Sequence, residues 1–315
     1  PTMGQKLDLA LAVLNGAVGD YLVRTDNGLA LPMDLYLHGE PVAPTAAALS
    51  AAYPDATARV VVLVHGLMNN ETIFAMPDGR DYGALFRADL GLTPLYVRYN
   101  SGLPIADNGA ALSALLTTLV SEYPVPIEEI VLLGYSMGGL VVRAATHAAA
   151  LSAAPWLPLV RRALYVGTPH RGAPMERVGR IVSAVLKAIP DPYTRLIAEV
   201  ADLRSDGLKD LGDADLRHED RARRTLRVTL RDPQHPVPLL PGITHHLVAG
   251  SLSEDRWVRA LFGDAVVPVS SATGWRSLGE GLDPSRVRVF PGLSHAAIPR
   301  SMDVYAQMRE WCEAR

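Results

Sequence analysis

Short apolar segments alternate with helix-compatible stretches along most of the 315 residues. Residues 60–64 form a continuous run of Val and Leu, which is typical of a strand buried on both faces of a parallel sheet. Similar segments follow at residues 95–98, 130–133, 163–166, 246–249 and 287–290, and the helix-compatible stretches between them include 82–90, 108–122 and 137–151. This alternation predicts an α/β fold with a mostly parallel, doubly wound sheet.

The residues before this pattern differ from it. Residues 7–18 are largely apolar and predict an amphipathic helix. Asn27 and Gly28 lie between apolar segments, and because this pair adopts positive φ readily, it predicts a hairpin turn there. The Ala-rich and Pro-containing residues 41–54 are typical of a connector. We therefore expect an N-terminal helix-and-hairpin extension over residues 1–54.

The alternation stops between residues 174 and 241. Two helix-compatible pieces lie there, at 178–189 and 193–203, and the stretch ends in a Pro-rich segment. We expect a helical insertion over the carboxyl edge of the sheet. It would act either as a lid or pocket wall, or only as a cap packed on the core. Residues 55–173 and 242–315 would then form the α/β core.

The pentapeptide Gly134-Tyr135-Ser136-Met137-Gly138 lies between a predicted strand and a predicted helix. At such a junction a serine is held in a strained backbone, and small flanking residues let the neighbouring chain pass close by. The hydroxyl then points away from the sheet. The five residues alone also fit a plain turn between a strand and a helix, but in this setting we predict that Ser136 is a nucleophile.

A nucleophilic serine needs a histidine base, and in this arrangement the histidine comes late in the chain. His295 follows the last predicted strand by a short loop, which places it at the same sheet edge as Ser136. It is the predicted base. His170 also ends a strand at this edge, and it is a candidate pocket residue and an alternative base. His245 and His246 open a strand, where burial in the core is the simpler interpretation.

The acid that orients the base is expected after the next-to-last predicted strand. Asp264 begins a loop that ends in two serines, and it is the predicted acid. Glu254 and Asp255 are alternatives that come sooner after the strand. They neighbour Arg256 and Arg259, and this pattern is more typical of a charge-paired, solvated turn.

The tetrahedral oxyanion needs backbone donors, one from the residue after the nucleophile and one from the loop after an earlier strand. The sequence predicts Met137 and Leu67 for these roles, and Gly66 permits the turn that aims the Leu67 N–H inward. His65 is a candidate pocket residue that braces this loop and takes no part in proton transfer. A plain turn between a strand and a helix is the alternative for this loop.

Composition argues against several other classes of protein. The formal net charge is -3, so there is no broad basic surplus for binding nucleic acid. Cys312 is the only cysteine, which forbids an internal disulfide and favours the cytoplasm over secretion. No apolar run reaches the roughly 18 residues of a membrane helix. The chain also lacks the sequence patterns of dinucleotide, phosphate-loop, zinc-protease and EF-hand sites, so we expect no organic cofactor and no metal.

Together these motifs resemble the α/β-hydrolase family, and within it the bacterial lipase and esterase group that is similar to triacylglycerol lipases and GPI inositol-deacylase-like hydrolases. The residues that carry the resemblance are Val64-His65-Gly66-Leu67, Gly134-Tyr135-Ser136-Met137-Gly138-Gly139, Gly167-Thr168-Pro169-His170-Arg171-Gly172, Gly263-Asp264 with Val267-Pro268, and Ser294-His295. The resemblance implies the α/β-hydrolase fold, with Ser136, Asp264 and His295 as nucleophile, acid and base. It also implies Leu67 and Met137 as oxyanion donors.

The sequence therefore predicts a serine hydrolase that cleaves carboxylic esters through a Ser-His-Asp triad and an acyl-enzyme intermediate. The expected partner is a small-molecule ester or an acyl-lipid substrate, without nucleic acid and without a transmembrane segment. An amidase or a thioesterase with the same triad is an alternative, because pocket shape selects the leaving group. A non-catalytic binding module on the same fold is the other alternative.

Overall fold

The computed structural model describes residues 3–170, 205–213, 237–251 and 283–314, and in this part of the chain an eight-stranded sheet carries helices on both faces. The strands are β1 (Asp34–Leu37), β2 (Glu40–Val42), β3 (Arg59–Val64), β4 (Thr93–Arg98), β5 (Glu129–Tyr135), β6 (Val160–Val166), β7 (Thr244–Ser251) and β8 (Val287–Pro291). The helices are α1 (Met3–Arg24), α2 (Ala46–Ala52), α3 (Tyr82–Leu90), α4 (Ile105–Glu122), α5 (Met137–Ser152), α6 (Asp206–Asp213) and α7 (Met302–Glu313).

The strands follow the order β2-β1-β4-β3-β5-β6-β7-β8 across the sheet. Strands β3 to β8 run parallel to one another, whereas β1 is antiparallel to both β2 and β4. The prediction of a mostly parallel, doubly wound sheet is confirmed, and β1 and β2 add an antiparallel edge. Because β3 to β8 are parallel, their carboxyl ends share one edge, and the loops that follow them meet there.

The hydrophobic core lies on both faces of this sheet. In β3, Val60, Val62 and Val64 belong to a cluster that includes side chains of α1, α4 and α5. Val61 and Leu63 belong to a second cluster, with side chains of α3 and α7. All five side chains are 0% exposed, which confirms the prediction of a strand covered on both faces.

Polar side chains and a glycine fix the ends of two helices near the sheet. The Asp81 carboxylate accepts a hydrogen bond from Ala84 N at 2.9 Å and begins α3, and α3 ends at Gly91, whose φ of 66° is left-handed. The first N–H of α4, that of Ile105, donates to Asp210 Oδ2 of α6 at 3.0 Å. A carboxylate from a distant helix thus caps α4.

The hairpin turn predicted at Asn27 and Gly28 is wrong. α1 continues almost to this pair, and Asn27 N donates to Leu22 O at 2.9 Å, which closes the end of the helix. The hairpin lies further along, between β1 and β2, where His38 and Gly39 have φ values of 53° and 88°. Asn and Gly are favoured after helices and in hairpin turns for the same reason, their tolerance of positive φ, so the pair does not distinguish the two.

The connector predicted over residues 41–54 is wrong in part, because α2 forms within it. The Thr45 hydroxyl accepts a hydrogen bond from Ala48 N at 3.4 Å at the start of this helix. Most residues of α2 are alanine, which is the best helix former. Leu49 is 0% exposed and attaches α2 to the core.

Only residues 205–213 and 237–241 of the predicted insertion are described. The helical pieces predicted at 178–189 and 193–203 lie outside the described residues. The division of the chain into an extension, a core and an insertion therefore stays a prediction.

Candidate active site

Ser136 lies at the carboxyl end of β5, immediately before α5. Its φ of 53° and ψ of -124° belong to neither helix nor strand, and its N–H donates to Val166 O at 2.9 Å. Positive φ is costly for a residue with a side chain, so the surrounding contacts must hold this turn. Ser136 is only 3% exposed, so those contacts surround it closely.

The two glycines of the pentapeptide are required by close packing. A Cβ on Gly138 would lie 2.3 Å from the carbonyl oxygens of Val64 and His65. A Cβ on Gly134 would lie 2.5 Å from Gly139 Cα. Backbone atoms cannot yield at such distances. Gly138 therefore brings the end of β3 and the loop after it against the start of α5, and Gly134 lets α5 fold back on the end of β5.

His295 reaches Ser136 from the loop that follows β8. Its Nε2 lies 2.9 Å from Ser136 Oγ, and both side chains are buried. The Tyr135 hydroxyl donates to the His295 carbonyl oxygen at 3.1 Å, and the two rings lie 5.2 Å apart. Gly167 lies against the imidazole, where a Cβ would be 3.2 Å from His295 Cε1. The structure thus brings the predicted nucleophile and the predicted base into hydrogen-bonding contact.

The predicted acid, Asp264, lies outside the described residues, as do the alternatives Glu254 and Asp255. All three follow β7, which ends at Ser251 on the sheet edge that carries Ser136. The choice among the three carboxylates stays a prediction.

The segments that carry the two predicted oxyanion donors flank Ser136. A Cβ on Gly66 would lie 3.0 Å from Ser136 Cβ, so the loop with Leu67 passes directly beside the serine. Met137 is the first residue of α5, where helical N–H groups have no acceptor within their own helix. Leu67 and Met137 are both buried. Both predicted donors therefore lie in segments next to Ser136, and their role as oxyanion donors stays a prediction.

His65 is buried behind this loop and uses both of its ring nitrogens. Nε2 accepts a hydrogen bond from Tyr99 N at 3.3 Å, which assigns the proton to Nδ1, and Nδ1 donates to Gly66 O at 2.8 Å. The ring stacks on Tyr99 with centroids 4.3 Å apart. Burial lowers the pKa of His65 to about 4, so the imidazole is neutral at pH 7. These contacts brace the loop after β3.

His170 follows β6 at the same sheet edge, but its hydrogen-bond partner is Arg143 of α5. Arg143 Nη1 lies 3.2 Å from His170 Nδ1 and 3.4 Å from His170 O, and Nη2 donates to Val237 O. Both side chains are buried. Burial, together with the Arg143 charge, holds the pKa of His170 well below its ordinary value. The neutral imidazole therefore accepts a hydrogen bond from Arg143 and supports the loop after β6.

His245 and His246, the other histidines considered as bases, lie in β7. The His245 ring is within hydrogen-bond distance of the Tyr165 hydroxyl, at 3.2 Å, and of Leu240 O, at 3.0 Å. His246 stacks on Trp311 with centroids 4.6 Å apart. Burial lowers the pKa of each to about 4. Both are therefore neutral side chains of the buried sheet at pH 7.

Two residues that hold this site belong to none of the roles predicted from the sequence. Tyr135 binds the backbone of His295, and Arg143 binds that of His170. Arg143 lies seven residues after Ser136, two turns along α5, and it is the only Asp, Glu, Lys or Arg of that helix. Such an arginine needs a polar partner, so it could have been recognised. Tyr135 gives no comparable signal, because its partner is 160 positions away.

Among the residues that the structure describes, no group of three or more His, Cys, Asp or Glu could hold a metal ion. Within the same residues, no helix is both long enough and apolar enough to cross a membrane. Cys312 is buried in α7, and burial raises the pKa of its thiol to about 12, so the thiol stays protonated at pH 7.

The family model described as "Alpha/beta hydrolase family" matches residues 61–308. The match begins inside β3 and ends inside α7, so it includes both Ser136 and His295. The chain belongs to the alpha/beta hydrolase family, which confirms the resemblance carried by its motifs. No curated protein matches the sequence.

Solved structures to which the chain is similar include the mature form of lipase BlEst2 from Bacillus licheniformis, which is 16% identical with a TM-score of 0.51 over 80% of this chain and 91% of that one. The esterase PF2001 of Pyrococcus furiosus is 13% identical with a TM-score of 0.48, and the match covers 82% of this chain and 81% of that one. Lipase 1 of Pelosinus fermentans is 12% identical with a TM-score of 0.47, and the match covers 82% of this chain and 100% of that one. At 16% identity, the likeness to the first of these extends to the fold alone.

Proposed function

We propose that this protein is a serine hydrolase that cleaves carboxylic esters through an acyl-enzyme intermediate. The observation that carries the proposal is the 2.9 Å contact between Ser136 Oγ and His295 Nε2, made at a turn with positive φ. Backbone strain of this kind persists only where the surrounding structure enforces it, and it clusters at functional sites. Membership of the alpha/beta hydrolase family supports the same conclusion.

In the first step, His295 Nε2 accepts the proton of Ser136 Oγ while that oxygen bonds to the ester carbonyl carbon. The electrons of the carbonyl double bond move to its oxygen, which becomes an oxyanion. Leu67 N–H and Met137 N–H donate to the oxyanion, and Asp264 orients the His295 ring and stabilises its charged form. Loss of one such oxyanion donor costs about 3 kcal/mol, or roughly a hundredfold in rate.

In the second step, the bond between the carbonyl carbon and the alcohol oxygen breaks, and the proton on His295 Nε2 passes to the departing alcohol. The acyl group remains on Ser136. A water molecule then gives a proton to His295 and attacks the acyl carbon. The second tetrahedral intermediate releases a carboxylic acid, and Ser136 regains its proton, so each cycle consumes one water.

The proposed substrate is an uncharged ester, either a small molecule or an acyl lipid. Leu67, Met68 and Met137 are buried, apolar residues in the segments next to Ser136. The two histidines of the adjoining loops, His65 and His170, are neutral at pH 7 because burial lowers their pKa. Surroundings of this kind favour an acyl chain over a charged group.

The proposal is tested with p-nitrophenyl esters of increasing acyl length, together with labelling by a fluorophosphonate. The Ser136→Ala variant should lose both activities. Asp264→Asn should lower kcat by about four orders of magnitude, because a triad that loses its acid holds the wrong tautomer of the base. Glu254→Gln is the matched control and should stay within about twofold of the wild-type rate.

Two results would change the assignment. Faster hydrolysis of the matched amide or thioester than of the ester, with the same dependence on Ser136, would identify an amidase or a thioesterase. A wild-type protein that is inactive on all three substrates and takes no fluorophosphonate label would refute a catalytic role, and the binding-module alternative would then stand.

A further inference from the structure

α1 lies outside the part of the chain that the family model matches, yet it packs directly on the site. The match begins at residue 61. Gly16 of α1 lies against Met68, and Gly19 lies against Asn100. Met68 directly follows Leu67, and Asn100 lies in the loop after β4. α1 therefore contacts two loops at the carboxyl edge of the sheet, one of which carries a proposed oxyanion donor.

This contact leaves no space for a side chain. A Cβ on Gly16 would lie 2.4 Å from Met68 Cγ and 3.0 Å from Met68 Cα. A Cβ on Gly19 would lie 1.8 Å from Asn100 Oδ1. From the opposite side, a Cβ on Gly102 would lie 2.1 Å from a carbonyl oxygen of α1. The three glycines thus let α1 pack directly on the two loops, with backbone against backbone at Gly102.

Hydrogen bonds connect the same segments. The Asn100 side chain donates to Gly19 O at 3.1 Å and accepts from Gly102 N at 3.0 Å. The hydroxyl of Ser101 accepts a hydrogen bond from Met68 N at 2.9 Å. Met68 has a φ of 56°, which a residue with a side chain adopts only when its neighbours hold it there. The backbone of Met68 is therefore fixed through a chain of contacts that starts at α1.

α6 supports this arrangement from another direction. The Ser205 hydroxyl, immediately before α6, donates to Gly16 O at 2.7 Å. Gly207 N donates to Gly102 O at 3.0 Å. The backbone oxygens of both glycines are thus held in place.

Leu67 lies between this support and Ser136. On the side of the serine, the space is closed because a Cβ on Gly66 would lie 3.0 Å from Ser136 Cβ. Leu67 itself is 1% exposed. Because Leu67 and Met68 are bonded neighbours, any movement of Met68 changes the distance between the Leu67 N–H and the atoms that react at Ser136.

We propose that α1 is a positioning element of the active site, and that Gly16 is the positioning residue through which it sets the Leu67 N–H. This inference rests on the proposed function, because it gives Leu67 the role of an oxyanion donor. A donor displaced by a fraction of an ångström stabilises the transition state less, although substrate binding in the ground state changes little.

The test is the Gly16→Ala variant, compared with Gly28→Ala. Alanine is a better helix former than glycine, so the substitution does not weaken α1 itself. Within the described part of the chain, a Cβ on Gly28 meets no atom within 4 Å, which makes this other glycine of the N-terminal segment a matched control. We expect Gly16→Ala to lower kcat for p-nitrophenyl butyrate by roughly tenfold, with KM within about twofold of wild type. Gly28→Ala should match wild type in both constants.

Two further readouts separate positioning from a purely structural role. A boronic acid, which forms a tetrahedral adduct with the serine, should bind Gly16→Ala more weakly by the same factor as the loss in kcat. The double variant Gly16→Ala with Met68→Ala removes the Cγ at 2.4 Å but leaves Met68 N and Cα at 3.0 Å from the new methyl group, so it should recover part of the lost kcat. A structural role alone would lower the melting temperature and leave kcat and boronic acid affinity unchanged.

The outcomes are distinct. If wild type hydrolyses esters and Gly16→Ala keeps the kcat and the boronic acid affinity of Gly28→Ala, the positioning role is overturned and the proposed function stands. If wild type neither hydrolyses esters nor reacts with a fluorophosphonate, the proposed function itself fails.

Discussion

The Tyr135 hydroxyl provides a direct test of how the fold holds the proposed base. It is buried and donates to the His295 carbonyl oxygen at 3.1 Å, so it holds the backbone of the residue whose side chain contacts Ser136. Tyr135→Phe removes this hydroxyl and keeps the ring. The ring still packs against the His295 imidazole, with centroids 5.2 Å apart in the wild type.

The size of the effect follows from what the substitution leaves behind. A buried hydrogen bond contributes about 1 kcal/mol net, and a buried carbonyl without a partner costs up to about 3 kcal/mol. We therefore expect the substitution to lower the free energy of unfolding by about 1 to 3 kcal/mol. The loop with His295 can relieve the cost of the unpaired carbonyl by shifting. A displacement of about 1 Å reduces turnover by up to roughly a hundredfold. We therefore expect kcat to decrease by between about threefold and thirtyfold.

The assay is steady-state hydrolysis of p-nitrophenyl butyrate, with urea unfolding of the same preparations. Tyr53→Phe is the matched control, because Tyr53 is also buried and its hydroxyl has no hydrogen-bond partner among the residues that the structure describes. We expect that control to keep the wild-type kcat and an equal or higher free energy of unfolding.

A loss of stability in Tyr135→Phe with an unchanged kcat would mean that the hydroxyl supports the fold but not the base. Wild-type values for both would mean that the hydrogen bond contributes nothing measurable.

Three further predictions concern the second glycine of the pentapeptide, the cap of α4 and the stability of the fold in acid. Gly138→Ala places a Cβ 2.3 Å from two carbonyl oxygens, so ester hydrolysis should fall at least roughly a hundredfold, and a wild-type rate would contradict this packing. Asp210→Asn weakens the bond to Ile105 N at the start of α4 and should lower the free energy of urea unfolding by about 1 kcal/mol, whereas an unchanged unfolding curve would argue against the cap. Burial lowers the pKa of His65 and His245 from 6.5 to about 4, so the unfolded chain binds more protons below pH 6.5. The stability that these histidines contribute is complete above pH 6.5, and it falls towards pH 4 by up to about 1.4 kcal/mol per pH unit for each histidine. Urea titrations at pH 7, 6 and 5 would detect this decrease, and an unchanged free energy of unfolding across these pH values would disprove it.

The parts of the fold that depend on local pattern could be predicted from the sequence. The helix predicted at residues 82–90 has the bounds of α3, because Asp81 and Gly91 are residue types that begin and end helices. The apolar run at residues 60–64 lies in a strand that is buried on both faces. The contact between Ser136 and His295 follows from topology, since loops after parallel strands meet at one edge of the sheet.

The parts that depend on contacts between distant segments could not be predicted. The three glycines that bring α1 against the loops have no local signature, because close approach becomes visible only when both partners are in place. The same holds for Tyr135 and its bond to His295. The hairpin turn predicted at Asn27 and Gly28 is wrong for another reason, because residues that tolerate positive φ suit both a hairpin turn and the end of α1.

The hydrogen bonds of Arg143 have a consequence for how this chain can be altered. One buried guanidinium binds the carbonyl oxygens of both His170 and Val237, which stand on either side of residues 171–236. Arg143 therefore holds the chain at both ends of this stretch. Within the stretch, Leu211 lies in the core, Asp210 caps α4 and Ser205 holds Gly16. A segment exchanged between the two anchors must therefore keep residues 205–213, because their loss would leave α4 without its cap and α1 without one of its supports.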